Sequence, residues 1–300
     1  MEVVNTNYSS DGNIKYGLRV ANVPKTIEAA FLSLPQREEG KPRFVACLSS
    51  QIGCYFDCRM CANMFSSYMR DLKVSEIDAQ IRLVLGNDGN LQKVLQEGSV
   101  EYAFMGIGEP LFGANVIRSI QRHKAYVPDT RFVISTVGIP GSIQKLTRSE
   151  IPYPTRLELS LHFPNDRLRN EWIRGEHIFR TRDIKLSIEE MLCEASEYYQ
   201  RSGEKVTVNY VIIDGVNNTP ECFDELVALF KDRKRFYVKV MVPNHTSSFT
   251  ESWKEELEVE TTYGPEEFFE KLKKSGIEAA LFRSLGQDVL AGCGMMRGRF

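Results

Sequence analysis

What the sequence most plainly lacks is charge of one sign: 38 Lys and Arg stand against 40 Asp and Glu in 300 residues, a net of −2. A protein held to nucleic acid by bulk electrostatics carries a large positive excess, so that class is excluded. No apolar run approaches ~18 residues, so no membrane-spanning helix is expected. The opening Met1-Glu2-Val3-Val4-Asn5 has neither a basic start nor an apolar core, so no secretory signal is expected. There is no internal repeat and no low-complexity linker. These absences point to a cytoplasmic chain in a reducing compartment. Seven cysteines in that setting mean metal binding or catalysis more than structural bridges. The apolar share of 42% and charged share of 26% are ordinary for a globular protein. A chain of this length buries a full core without disulfide staples.

Short β-branched or aromatic runs alternate with longer amphipathic stretches. Strands are expected at Arg43–Ser49, Val100–Met105, Arg131–Thr136, Arg156–His162, Val206–Ile213, Phe236–Val242 and Ile277–Phe282. Most are continuous apolar runs, as in parallel strands buried on both faces. Helices are expected at Val74–Leu85, Ala114–Lys124, Ile184–Gln200, Pro220–Lys231 and Pro265–Ser275. Pro220 and Pro265 suit first helical turns, with acids following. The alternation implies an α/β fold of about six βα units in an open or partial barrel. Residues 1–42 hold a short strand at Lys15–Val20 and an apolar patch at Ile27–Leu34, an extension expected to pack on the barrel core of residues 43–300. Thr246–Tyr263, polar and acidic, is expected to be a long loop.

The cysteines are unevenly placed. Cys47, Cys54, Cys58 and Cys61 fall within fifteen residues, Cys193 and Cys222 lie alone on helical patterns that suggest burial, and Cys293 lies far down the chain. Cys54-Tyr-Phe-Asp-Cys58-Arg-Met-Cys61 has C-x3-C-x2-C spacing just after the first strong strand. A structural zinc site wants four N or S ligands, usually as separated pairs, and no histidine is close. A 4Fe–4S cluster normally takes four cysteines; with three, one iron keeps an open position for a ligand. Spacing alone admits zinc or unliganded thiols. Its place at the head of a βα series favours iron–sulfur.

This spacing resembles that of the radical S-adenosylmethionine (SAM) enzymes. A narrower likeness follows from the flanks. Cys47-Leu-Ser-Ser-Gln-Ile-Gly-Cys54 resembles the cluster entry of the RlmN/Cfr family, radical SAM methyltransferases that act on adenosine in RNA. Phe104-Met-Gly-Ile-Gly-Glu-Pro110 resembles that family's Gly-Glu-Pro motif, and Ser135-Thr-Val-Gly138 its Ser-Thr-Ser-Gly strand end. Ser160-Leu-His-Phe-Pro-Asn-Asp166 resembles Ser-Leu-His-x-Pro-Asn-Asp. Tyr210–Asn217 and Gly286-Gln-Asp-Val-Leu-Ala-Gly-Cys293-Gly294 also fit, so the likeness runs over residues 9–294.

The resemblance implies a partial (β/α)6 TIM-type barrel of the radical SAM superfamily with a short N-terminal β extension. It implies a 4Fe–4S cluster on Cys54, Cys58 and Cys61. SAM contacts fall at Gly108, Glu109, Ser135, Ser160, Leu161, His162 and Asn244. Physical reasons support some of these. Gly-rich loops let backbone approach a ligand, and a carboxylate such as Glu109 accepts from an ammonium group. Ser135, Ser160 and His162 stand near C-terminal strand ends, the active face of βα barrels. Each also has a plain reading, as turn, rim or core residue. By the same resemblance Cys293 is methylated by SAM, a deoxyadenosyl radical removes hydrogen from the S-methyl group, and the carbon radical adds to the adenine ring. Cys47 then resolves the protein–substrate adduct through a disulfide. Glu28 in Ile27-Glu28-Ala29 matches the family's proton acceptor; the plain reading is a solvated glutamate on an edge strand. A flavodoxin- or ferredoxin-type reductant is implied, and no membrane or obligate protein partner.

The chain departs from the family at several points. Ala62-Asn63-Met64 follows Cys61 where Ala/Ser-Thr-Gly is usual, and the Pro-Ile-Asn turn after Asp166 is absent. The loop after Asn244 is acidic rather than Pro-rich, and an acidic loop at the mouth repels phosphate. The family's helical N-terminal RNA-gripping domain has no counterpart in these residues. Arg167, Arg169, Arg174, Arg180, Arg182 and the run Lys231–Arg235 are candidates for an RNA surface or simply solvated charge. The leading expectation is methylation of an sp2 ring carbon, most naturally adenosine in rRNA or tRNA. The same chemistry on a small heteroaromatic metabolite or a peptide, and a non-catalytic metal-binding regulator, are the alternatives.

Overall fold

The computed structural model describes residues 1–34, 42–173, 184–231, 233–244, 262–292 and 294–296. In chain order the strands and helices are β1 (Glu2–Tyr8), β2 (Ile14–Arg19), β3 (Thr26–Leu34), β4 (Arg43–Cys47), β5 (Gln51–Ile52), β6 (Arg70–Asp71), α1 (Val74–Gly86), α2 (Asn90–Glu97), β7 (Ser99–Phe104), α3 (Asn115–Arg122), β8 (Thr130–Thr136), α4 (Ser142–Arg148), β9 (Thr155–Ser160), α5 (Asp166–Trp172), α6 (Ile188–Ser202), β10 (Val206–Val211), α7 (Pro220–Phe230), β11 (Phe236–Met241), α8 (Pro265–Lys274) and β12 (Ala279–Phe282).

Among the described residues one sheet runs β1-β2-β3-β4-β7-β8-β9-β10-β11-β12. From β4 to β12 every neighbouring pair is parallel. Six βα units are therefore followed by a seventh parallel strand in an open α/β sheet. The apolar runs explain why: Phe44, Tyr102, Phe104, Phe132 and Ile134 are buried under the helices, with Ile77, Ile81 and Leu192 packed on them. Truncating such a core aromatic to Ala costs about 3–5 kcal/mol. The alternate positions Val45, Ala103 and Val133 face the concave side and form a separate cluster there.

Five of the seven parallel strands end one or two residues before the apolar runs do, while β8 and β12 end where expected. Leu48, Met105, Leu161, Ile212 and Val242 carry the chain into loops rather than ladders. These loop starts are largely covered, Leu48, Leu161 and Ile212 fully, so they keep apolar residues after sheet pairing stops. Helix starts follow their caps. Ser187 accepts from Glu190 N–H, so α6 begins at Ile188 and not at Ile184. Thr219 caps α7 with Pro220 in its first turn. Helices α2, α4 and α5 are too short to show a clear apolar period, and the sequence pattern misses them.

Residues 1–34 extend the sheet rather than pack on it. Strands β1, β2 and β3 are antiparallel, and β3 pairs with β4, Ala30 opposite Cys47. Glu28 is thus on an interior strand and only 2% exposed, so the solvated reading of it is overturned. Cys222 is buried, but Cys193 is exposed on α6. Of the basic candidates, Arg169 is fully buried, and Lys231–Arg235 joins α7 to β11 at the end of the barrel away from the strand tips. Arg167 is exposed and pairs with Glu171. Arg174, Arg180, Arg182 and most of the Thr246–Tyr263 segment lie outside the described residues.

Candidate active site at the strand tips

The C-terminal tips of the parallel strands surround a cavity of about 230 Å3. Cys54, Cys58 and Cys61 line it together with Gly108, Glu109, Ser135, Ser160, His162 and Asn244. Elements far apart in sequence thus converge on one space. Leu161 is the exception: its side chain is fully buried in the core under the helices, so only its backbone lies toward the site.

The loop carrying the thiols is held from both sides. Gln51 Oε1 accepts from Tyr55 N–H and Glu109 N–H, both at 3.1 Å, binding the cluster loop to the Gly-Glu loop. Arg59 N–H donates to the Trp172 carbonyl at 2.9 Å, binding it to α5. Burial, then the charge of Cys61 (joined at Cys58 by that of Cys54) and those of Glu109 and Asp57, pushes the Cys54 and Cys58 thiols well up. Without metal these thiols are protonated; metal binding must release their protons. Among the described residues no three His, Cys, Asp or Glu side chains suit a single metal ion. A four-iron cluster does not need that convergence, because each thiolate takes a different iron. Three thiols on one cavity wall, with no imidazole among them, fit the cluster and not the closed zinc site.

Glu109 is 4% exposed, and burial pushes its carboxyl up to about 7. Bonds from Thr136 Oγ1 at 2.5 Å, Val137 N–H at 2.9 Å and Leu111 N–H at 3.0 Å oppose that rise and fix its orientation. Gly108 has φ +108°, and a Cβ there would sit 2.6 Å from Gln51, so only glycine fits the turn that presents Glu109. Ser135 and Ser160 hydroxyls lie 3.2 Å apart on β8 and β9.

His162 leaves β9 with φ +57°. Its Nδ1 accepts from Val211 N–H at 3.2 Å, which puts its proton on Nε2. Burial and the nearby Arg169 charge pull its pKa down to about 3, so the ring is a neutral donor. Asn217 fixes this turn, donating to the His162 carbonyl at 2.6 Å and to the Val211 carbonyl at 2.7 Å. Asn244 Nδ2 donates to Ser284 Oγ at 2.9 Å, joining the sixth parallel strand tip to the C-terminal segment.

A second cavity, about 330 Å3, lies deeper on the concave face and shares Met105, Glu158, Lys239 and Phe282 with the first. Cys47 lines this one, as do Ala291, Gly292 and Met296. Cys293 lies outside the described residues, but its neighbours are informative: Gly292 lines the second cavity and Gly294 the first. Ala62 N–H donates to the Gly294 carbonyl at 2.7 Å, and Asn63 Nδ2 donates to the Met296 carbonyl at 2.6 Å. Ala291 and Met296 pack with Cys47 and Ala30 in one small apolar cluster.

Sequence reasoning missed several of these groups. Buried Glu158 and Asn209 and half-buried Lys239 form a polar network, with Lys239 Nζ 2.8 Å and Asn209 Nδ2 3.0 Å from Glu158 Oε2. Burial works against ionisation of Glu158, yet Lys239 and Arg156 hold its carboxyl below the usual range. Polar residues inside apolar strands were the available signal. Arg169 donates to the carbonyls of Val137 and Ser160, while its Nε and one terminal nitrogen have no partner. Lys15 Nζ lies 3.4 Å from Glu28 Oε1, both buried.

Comparison with known proteins agrees with this geometry. The family described as the radical SAM superfamily matches residues 48–230. The chain is 31% identical over 300 residues to a "Probable dual-specificity RNA methyltransferase RlmN" from Caldicellulosiruptor saccharolyticus, covering 97% of this chain and 78% of that protein. It is 32% identical over 277 residues to a protein of the same description from Thermotoga petrophila, covering 91% and 72%. A crystal structure of a radical SAM methyltransferase from Sphaerobacter thermophilus superposes with a TM-score of 0.79 at 26% identity, over 99% of this chain and 81% of that one.

Proposed function

The chain belongs to the radical SAM superfamily and, within it, to the RlmN-type methyltransferases, and we propose that it methylates an sp2 ring carbon of adenosine in ribosomal or transfer RNA. It is a radical SAM methyltransferase with a 4Fe–4S cluster and SAM as cofactors. When bound, the cluster supplies the electron that cleaves SAM to a 5′-deoxyadenosyl radical.

This chain's residues do the rest. Cys54, Cys58 and Cys61 would hold the cluster. Glu109 would take the ammonium of SAM, since a buried carboxylate with fixed bonds is a strong acceptor for a cation. Ser135, Ser160, neutral His162 and Asn244 would orient the remainder of SAM, and the Leu161 backbone would contribute at most a wall. Cys293 would carry the methyl group to the adenine ring, Glu28 would accept the ring proton, and Cys47 would release the product by forming a disulfide with Cys293. A small one-electron carrier of the flavodoxin or ferredoxin type would serve as reductant.

One observation carries this reading. The residues flanking Cys293 divide between the cavity of the three thiols and the cavity of Cys47, and the same segment is bonded to Ala62 and Asn63 and packed on Cys47. A segment that carries a methyl group from the radical source to the resolving thiol needs contact with both cavities. The test is Cys47→Ala with reduced, cluster-loaded protein, SAM and transcribed RNA. A covalent protein–RNA species that accumulates supports the role of Cys47. Normal turnover of that variant contradicts it.

A further inference from the structure

The turn between β1 and β2 reads Ser9-Ser10-Asp11-Gly12-Asn13. Ser9 N–H donates to the Asn13 carbonyl at 2.8 Å, and Gly12 takes φ +80°, a conformation that glycine reaches without steric cost. Gly286 and Asp288, which precede the run Val289-Leu-Ala-Gly-Cys293, lie against this turn. The two pieces are far apart in sequence, yet each offers a carboxylate to a backbone N–H of the other. Asp11 Oδ2 accepts from Gly286 N–H at 2.8 Å, and Asp288 Oδ2 accepts from Ser10 N–H at 2.9 Å. The Ser10 hydroxyl adds a bond to Asp288 Oδ2 at 3.0 Å. The Ser9 hydroxyl lies between both carboxylates and has one proton to give, so it serves one of them at a time.

These bonds run to charged acceptors. The Ser10 N–H and the Ser9 hydroxyl hold the Asp288 carboxyl well below its usual range. Burial opposes ionisation of Asp11, and bonds from Ser9, Gly286 N–H and Asn13 more than offset it. A hydrogen bond to an ionised acceptor is roughly twice as strong as a neutral one. Asn13 ties the same turn to the sheet, since its Oδ1 accepts from Ser33 N–H on β3 at 2.7 Å. The contact is therefore anchored to the strand that pairs with β4, where Ala30 stands opposite Cys47.

Beyond Asp288 the segment turns back on itself. Gly286 and Leu290 take φ +62° and +56°, and Ala291 N–H donates to the Gly286 carbonyl at 2.9 Å. Gly286 is thus the base of a loop whose far end, Ala291, belongs to the apolar cluster of Cys47. Past Cys293, the carbonyls of Gly294 and Met296 accept from Ala62 and Asn63. In sequence Cys293 therefore falls between two anchored points, one on the N-terminal strands and one on the cluster loop. We propose that Asp11 and Asp288 are positioning residues for Cys293: the two carboxylates clamp the C-terminal segment to the β1–β2 turn and set its approach to Cys47. The inference rests on the reading of Cys293 as methyl carrier, and it gives the β1–β2 hairpin a part in the reaction.

Hydrogen exchange of the full-length, cluster-loaded protein, read by mass spectrometry, tests the clamp without RNA. The informative amides are those of Leu290 and Ala291, which are bonded inside the segment and not to either carboxylate. Asp288→Ala and Asp11→Ala should each speed exchange there about tenfold, as local opening does. Exchange in β2 and β3 should stay at the wild-type rate. Arg19→Ala, which removes the surface ion pair with Glu2 at the other end of the hairpin, should leave the segment unchanged. Unchanged exchange at Leu290 and Ala291 in both carboxylate variants overturns the proposal. So does equal acceleration through β2 and β3, because the carboxylates would then only support the hairpin. Comparing 5′-deoxyadenosine release with methyl transfer to transcribed RNA supplies the second arm. Methyl transfer should fall about tenfold in both variants, the scale of a small misplacement of a reacting group, while deoxyadenosine release stays near the wild-type rate. Equal loss of the two activities overturns the proposal. Faster exchange as predicted, alongside a wild type that methylates no RNA, supports the clamp and contradicts the RNA reading.

Discussion

The backbone N–H of Ala62 donates to the carbonyl of Gly294 at 2.7 Å. The residue after the third cluster thiol is thereby tied to the residue after Cys293. This bond couples the head of the βα series to the C-terminal segment.

Asn63 reinforces it through the 2.6 Å bond to the Met296 carbonyl. Asn63 stands where the family usually has Thr, and its amide makes this bond. Asn63→Ala should keep the iron content and SAM cleavage near normal. Methylation should fall about tenfold, the cost of one buried bond of ~1–3 kcal/mol expressed in the placement of the segment. Comparing deoxyadenosine release with methyl transfer in one assay checks this.

Cys54→Ala, Cys58→Ala and Cys61→Ala should each abolish stable iron loading and the visible absorption of the cluster. Cys193→Ser should change neither, since Cys193 is exposed on α6 and remote from the cavity linings. Iron and sulfide analysis of anaerobically reconstituted protein separates the two groups.

As the proposed acceptor of the SAM ammonium, Glu109 should set a pH dependence of SAM binding. Its carboxyl, near 7 in the ligand-free protein because of burial, must be ionised to hold an ammonium. Affinity for SAM should therefore rise as pH climbs toward 7 and level off above it. Below that point it should fall by up to about tenfold per unit. Glu109→Gln should bind weakly with a flat profile. Calorimetric titration of cluster-loaded protein across this range measures both.

Gly108→Ala places a Cβ 2.6 Å from Gln51 at φ +108°. The strain, about 1–3 kcal/mol, should lower the melting temperature and loosen SAM binding at least severalfold. The cluster loop shares Gln51 with this turn, so iron loading should also weaken. Thermal unfolding and SAM titration of the variant report on both.

Much of this was legible in the chain. The seven parallel strands were visible because most of them are apolar runs buried on both faces. Six of the seven SAM-contact residues read from motifs line one cavity, because motif glycines and polar residues mark strand tips. What escaped was of another kind. The antiparallel β1–β3 extension depends on pairing with β4, which no local pattern shows. The burial of Lys15 is likewise set by tertiary packing and not by any local pattern of the Lys15–Val20 strand. Arg169 read as solvated charge because α5 is too short to reveal which of its faces is inward. Glu158 and Lys239 interrupt apolar strands, yet their pairing across β9 and β11 is a property of the assembled sheet and not of either run.

The most direct test supplies methyl-labelled SAM and a reductant to the cluster-loaded protein with unmodified transcripts of ribosomal and transfer RNA. Digestion to nucleosides then locates the label by mass spectrometry. The account predicts label in adenosine, on a ring carbon. Unlabelled RNA, or label confined to a small-molecule fraction, would contradict it.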